Sequence, residues 1–178
     1  MAIILLMLAS ATFRLLPHPA NFVPITALAI FVSARWGARR GILALMGAMA
    51  LSDVVLGTYD LKLMAVVYGS FAAAGLIGYW VGKNISTRRV ILGSLASSVF
   101  FYLTTNFAVW AISSWYPRTA AGLIESYTLA VPFFRNALFG DLIFSCALFG
   151  AYALYKKFSA APPLPLPHSS PAHISTII

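Results

Sequence analysis

Six apolar segments, near 1–16, 22–37, 41–57, 62–82, 90–114 and 134–155, dominate this chain, and short polar or turn-forming breaks separate them. A membrane-spanning helix needs about 20 mainly apolar residues, with a range of about 17–25. The breaks are of the kind that stop helices. Pro17, Pro19 and Pro24 fall in the first, residues 37–41 (GARRG) form the second, 57–60 (GTYD) the third and 83–89 (KNISTRR) the fourth. The fifth, 115–132, is the longest. A soluble alternative fails on charge: 9% of residues are charged and 61% hydrophobic, whereas a soluble domain carries roughly 25% charged residues. Twelve basic and four acidic side chains cannot clothe the surface of a 178-residue soluble domain. One cysteine excludes a disulfide scaffold, and with three scattered histidines it offers no zinc or iron–sulfur spacing. The chain therefore predicts an all-α fold: a polytopic membrane bundle of about six transmembrane helices over residues 1–158, with a short outer-face segment before the last helix. A flexible, proline-rich cytoplasmic tail is expected over 159–178, where Pro162, Pro163, Pro165, Pro167 and Pro171 oppose helix formation. Residues 162–165 (PPLP) have the composition of an extended ligand for a partner.

The first segment is short and contains Arg14. Its basic residue lies at the far end from the start, unlike a signal peptide, so it reads as a genuine first helix with Arg14 snorkelling to the interface. Orientation follows from the basic residues of the short loops. Arg35, Arg39, Arg40, Lys83, Arg88, Arg89, Lys156 and Lys157 fall on one side, and Arg14, Lys62, Arg118 and Arg135 on the other. All four acids, Asp53, Asp60, Glu125 and Asp141, belong to the second side. The cationic side should face the cytoplasm, which places both termini on the inner side of the cell (plasma) membrane. The net charge of +8 is then a topology signal and a contact for anionic membrane lipid, with no nucleic-acid partner required.

Polar groups in lipid are costly unless they are buried among helices or face water. Here they gather toward the outer end, while the inner halves read mostly as Ala, Gly, Leu, Val and Phe. That distribution predicts a pocket open outward and sealed beneath by apolar packing. Tyr102, Asn106, Trp110 and Ser113 recur at helical spacing on one face, an aromatic and amide stripe suited to a small ligand with a flat body and a polar edge. Asp53 stands in an apolar run and calls for a counter-ion, with Lys62 and Arg135 as candidates. Asp53, Tyr102, Asn106, Trp110, Arg135, Asn136 and Asp141 form the expected substrate-binding set. Thr119 should cap a short helix ended by Pro132, a lid over the outer mouth. Ser70, Ala74, Gly78 and Gly82 form a small-residue ladder for close helix contact, either within the bundle or with a partner. No zinc-protease pair, phosphate loop or dinucleotide fingerprint occurs, so neither an enzyme nor a cofactor is expected.

Three stretches carry a family likeness: 14–31 (RLLPHPANFVPITALAIF), 106–110 (NFAVW) and 116–141 (YPRTAAGLIESYTLAVPFFRNALFGD). Over residues 14 to about 152 the chain resembles a family of uncharacterised bacterial integral membrane proteins. Residues 24–57 are similar to the substrate-binding S-components of energy-coupling-factor vitamin transporters. That likeness implies six helices and an outward-facing vitamin pocket. Two departures stand out: Ala9 and Ala11 do not build the four-residue alanine ladder with which S-components dock, and Ser126 stands where the first family leads us to expect cysteine. The resulting expectation is a transport component that takes a small, vitamin-like molecule from outside, with a possible membrane coupling subunit. The alternative is a structural or assembly protein that recruits a partner through the small-residue faces.

Overall fold

The computed structural model describes residues 1–159. They form six helices, α1 (Ala2–Leu15), α2 (Ile25–Trp36), α3 (Ala38–Leu56), α4 (Leu61–Gly82), α5 (Thr87–Ile112) and α6 (Ala120–Ser159), and no strand among the described residues. The tail expected over 159–178 lies, from residue 160 on, outside the described residues.

The short helix α2 is the centre of the molecule. Its sequence ITALAIFVSARW is apolar or small on every side until its last turn, and residues 25–33 are all buried. A helix apolar all round has to be surrounded, and α2 packs against each of the other five. Phe31 anchors its cationic-end half through edge contacts with Trp36, Phe149 and Tyr152. Gly37 ends α2 with φ +94, a conformation other side chains resist, so α3 turns straight back along α2.

The small-residue ladder of α4 is what lets α4 approach this centre. A Cβ added at Gly78 would come within 2.6 Å of the Ile30 Cα, and one at Gly82 within 2.8 Å of the Ala34 Cα. Ser70, Ala74 and Gly78 are buried. The ladder therefore serves packing inside the bundle, with α2 covering Gly78 and Gly82 and Ser70 meeting Thr104 of α5 at 2.7 Å.

The spans are unequal. Three helices, α4, α5 and α6, are long and apolar enough to cross a membrane, fewer than the six expected. The prolines at 17, 19 and 24 leave only twelve residues of the second apolar segment helical; at about 1.5 Å per residue they rise about 18 Å, short of a hydrocarbon core of about 30 Å. Helix α1 has fourteen residues, and α3, with nineteen, carries Arg39, Arg40 and Asp53.

The expected outer-face helix ending at Pro132 is also corrected. Pro132 lies inside α6, which runs unbroken for forty residues. One proline removes one N–H from the ladder and its fixed φ suits a helix, so neighbouring turns and tertiary contacts carry the helix through. The N-terminal part of α6 is pinned to α5 at two points: the Tyr102 hydroxyl donates to the Tyr127 carbonyl oxygen at 2.7 Å, and the Tyr127 hydroxyl to that of Leu103 at 2.8 Å. It packs as a wall of the bundle. Thr119 does cap its start, accepting from the Gly122 N–H at 3.1 Å.

Candidate functional site: the hollow beside the α1–α2 loop

The end of the bundle opposite the cationic loops holds a hollow, and its chemistry begins at Asp53. The expected partners Lys62 and Arg135 are both exposed and do not reach it. Its counter-ion is Arg14, whose Nη1 stands 2.9 Å from Oδ1. Arg14 therefore does not snorkel outward as expected: its stem crosses from α1 to α3, because a buried carboxylate attracts the guanidinium more strongly than a distant interface does. The same Nη1 donates to Ser52 Oγ, and the Tyr68 hydroxyl donates to Asp53 Oδ2 at 2.6 Å. Asp53 thus ties α1, α3 and α4 together. Among the described residues this is the one ion pair. Arg14 makes its side-chain bonds through Nη1 alone, which leaves Nε and Nη2 as donors where the residue lines the hollow.

The hollow has three adjoining compartments. The largest, about 390 Å³, lies among Arg14, His18, Met49, Tyr59, Val67 and Phe71. The second, about 90 Å³, is bordered by Tyr102, Thr105, Asn106, Phe133 and Phe134. The third, about 30 Å³, reaches inward to Thr26 and Asp141. Asn21 and Phe101 border all three. Asn21 holds a left-handed backbone at φ +63, which asparagine tolerates better than most residues. Its carboxamide makes no side-chain hydrogen bond among the described residues. Burial pushes the Tyr59 phenol above its ordinary value, and the Asp53 carboxylate adds to the shift, so the hydroxyl keeps its proton.

The expected residues divide. Tyr102 and Asn106 line the second compartment; Asn106 Nδ2 donates to the Tyr102 carbonyl oxygen at 2.8 Å, so its own helix consumes one amide donor. Trp110, one turn further along the same face, is not part of the hollow. Its Nε1 donates to the Pro117 carbonyl oxygen at 3.1 Å and fastens the α5–α6 connection. Arg135 is exposed and belongs to no part of the site. Asn136 bonds the Ala20 carbonyl oxygen at 3.0 Å and so fixes the α1–α2 loop that carries Asn21. Asp53 stands behind Arg14 and does not itself line a compartment. Asp141 is buried; the Ser98 hydroxyl donates to its Oδ2 at 2.6 Å, and Thr26 faces the same carboxyl.

The apolar seal expected beneath the hollow is incomplete. Between α5 and α6, Ser94, Ser98 and Ser145 are buried. Ser98 also lies 3.0 Å from the Ser94 carbonyl oxygen, and Ser94 Oγ donates to Ser145 Oγ at 2.8 Å. Serines look like small neutral spacers in a sequence, which is why this seam is hard to see there; only their facing positions on two helices reveal it. Arg14 reads in the sequence as an interfacial residue at the end of the first segment, and what brings it and Asn21 to the hollow is the folding of the α1–α2 loop.

The geometry defines a class: an all-helical bundle in which three helices are long and apolar enough to cross a membrane, with a polar hollow at one end. Residues 1–164 match the family described as "Family of unknown function (DUF6580)", and the chain belongs to it. The match agrees with the likeness over 14–152 and adds nothing to that with S-components. No curated protein matches the chain, and no solved structure does.

Proposed function

We propose that this protein is the substrate-binding component of a membrane transport system and takes a small, vitamin-like molecule from the outer face. In this reading all six helices are embedded in the inner membrane, with the cationic loops and both termini in the cytoplasm. The short α2 completes its crossing through residues 16–24, of which His18, Asn21 and Val23 border the hollow; irregular backbone at membrane depth is tolerated where it lines such a cavity. The observation that carries the proposal is the sharing of Asn21 and Phe101 by all three compartments. They join the unused donors of Arg14 to the amide of Asn106 across one aromatic floor. The largest compartment alone falls within the roughly 300–1,000 Å³ of small-molecule sites. The preferred ligand is a flat body that rests on Phe101 and Phe71 and presents an acceptor, best a carboxylate, to Arg14. Energy and inward release fall to a coupling subunit. The assembly reading needs the α4 ladder for a partner, and α2 occupies that face, so transport is preferred.

The test is a thermal-shift screen of the detergent-purified protein against flat heterocyclic carboxylates and other vitamin-like compounds. One member should stabilise the protein. Asn21→Gly, which keeps the left-handed backbone and removes only the amide, should weaken that ligand about fivefold, the worth of one neutral hydrogen bond of about 1 kcal/mol. Trp110→Phe should leave binding unchanged. A panel with no stabilising member, or a shift indifferent to Asn21→Gly combined with Asn106→Ala, would remove the proposal.

A further inference from the structure

The opposite end of the bundle carries a second cavity, of about 480 Å³, between the start of α5 and the last third of α6. Its walls are apolar along Val90, Cys146, Phe149 and Ala153, and its mouth is cationic, with Arg35 and Lys156. From Lys156 back to Cys146, α6 rises about 15 Å. The groove is thus charged at the membrane surface and greasy at depth, and its length matches the upper part of an acyl chain. Arg35 is pre-oriented there. Its Cζ lies 4.1 Å from the Tyr152 ring centroid, and Nη2 donates to the Tyr152 hydroxyl at 2.7 Å. Ser86 and Thr87, where α5 begins, border the same mouth, and the free N–H groups of a helix start favour an anion.

Among the described residues no carboxylate answers these cations. All four acidic side chains of the chain, Asp53, Asp60, Glu125 and Asp141, stand elsewhere, and none lines the groove. Two cations converging on an apolar trough without a countercharge fit one occupant chemistry, an anionic amphiphile. We propose that this groove binds one anionic phospholipid of the cytoplasmic leaflet, its phosphate at Arg35 and Lys156 and one acyl chain along α6 toward Cys146. The site is separate from the outer hollow and needs no ligand there; its place in the cytoplasmic leaflet rests on the orientation proposed above.

Cys146, the chain's single cysteine, is exposed at the deep end and serves as the reporter. The full-length protein is placed in phosphatidylcholine nanodiscs with and without phosphatidylglycerol, and its alkylation by a small maleimide is timed. Phosphatidylglycerol should slow the reaction, and native mass spectrometry should retain one such lipid per protein. Replacing Arg35 or Lys156 by glutamine should weaken retention about fivefold each, the usual worth of one basic residue at an anionic surface. Inorganic phosphate should give no protection, since it has no chain to reach Cys146. Equal rates in the two lipid mixtures overturn the proposal, as does retention that survives both substitutions. Protection by phosphate alone overturns it in favour of a headgroup-only site. Slow alkylation in phosphatidylcholine that is relieved by ending the chain at Ser159 assigns the groove to the chain's own residues 160–178 instead.

Discussion

At the scale of single residues the molecule turns on Asp53. A carboxylate buried among helices survives because Arg14 and Tyr68 converge on it, while Ser52 accepts from the same Arg14 nitrogen and holds it in place. Replacing Asp53 by alanine strands Arg14 in a part-buried position, and the loss of one partner of such a pair costs about 3–5 kcal/mol. Asp53→Ala should lower unfolding stability in detergent by that order. Arg14→Met combined with Asp53→Leu should recover most of the loss, because an apolar pair of similar volume needs no desolvation. Strictly additive losses in the cycle would mean that the two side chains do not act on each other. The need for a counter-ion was legible in the sequence, since an acid in an apolar run demands one. Its identity was not: Lys62 is nearer along the chain, yet it sits on the exposed side of the turn, where the Asp60 side chain accepts from its backbone N–H.

At the scale of elements, the ladder on α4 and the proline in α6 teach opposite lessons. Small residues four apart announced a close helix contact, and the contact exists. What the spacing left open was the partner, which is α2 within the same chain. Gly78→Leu must drive a side chain into the Ile30 backbone, and overpacking of this kind costs about 1–3 kcal/mol or more. Gly69→Leu on the same helix has open space around it and should change stability by less than about 0.5 kcal/mol. Equal effects in a melting comparison of the two variants would place α4 elsewhere. Pro132 announced a helix end and did not make one. A local preference against one N–H lost to the contacts that hold both sides of the proline against α5 and the α1–α2 loop.

At the scale of the whole molecule, charge and depth set the organisation. Basic loops collect at one end, and the acids with the amide-lined hollow at the other. If that axis is the membrane normal, single cysteines introduced at Thr58 and Asn84, in a Cys146→Ser background, should label with impermeant maleimide from opposite faces, Thr58 from outside intact cells. Labelling of both from one face would end the six-span topology and, with it, the outward-open hollow. The sequence alone determined that the chain is helical and apolar, where most helices begin and stop, and which end is cationic. These follow from properties summed along the chain, and sums need no coordinates. Only the tertiary structure decided that α2 is the wrapped centre, that Arg14 answers Asp53, that Trp110 and Arg135 stand outside the site, and that Asn21 stands at its middle. Those outcomes depend on which helix faces meet, and residues far apart in the chain become neighbours only when the bundle closes.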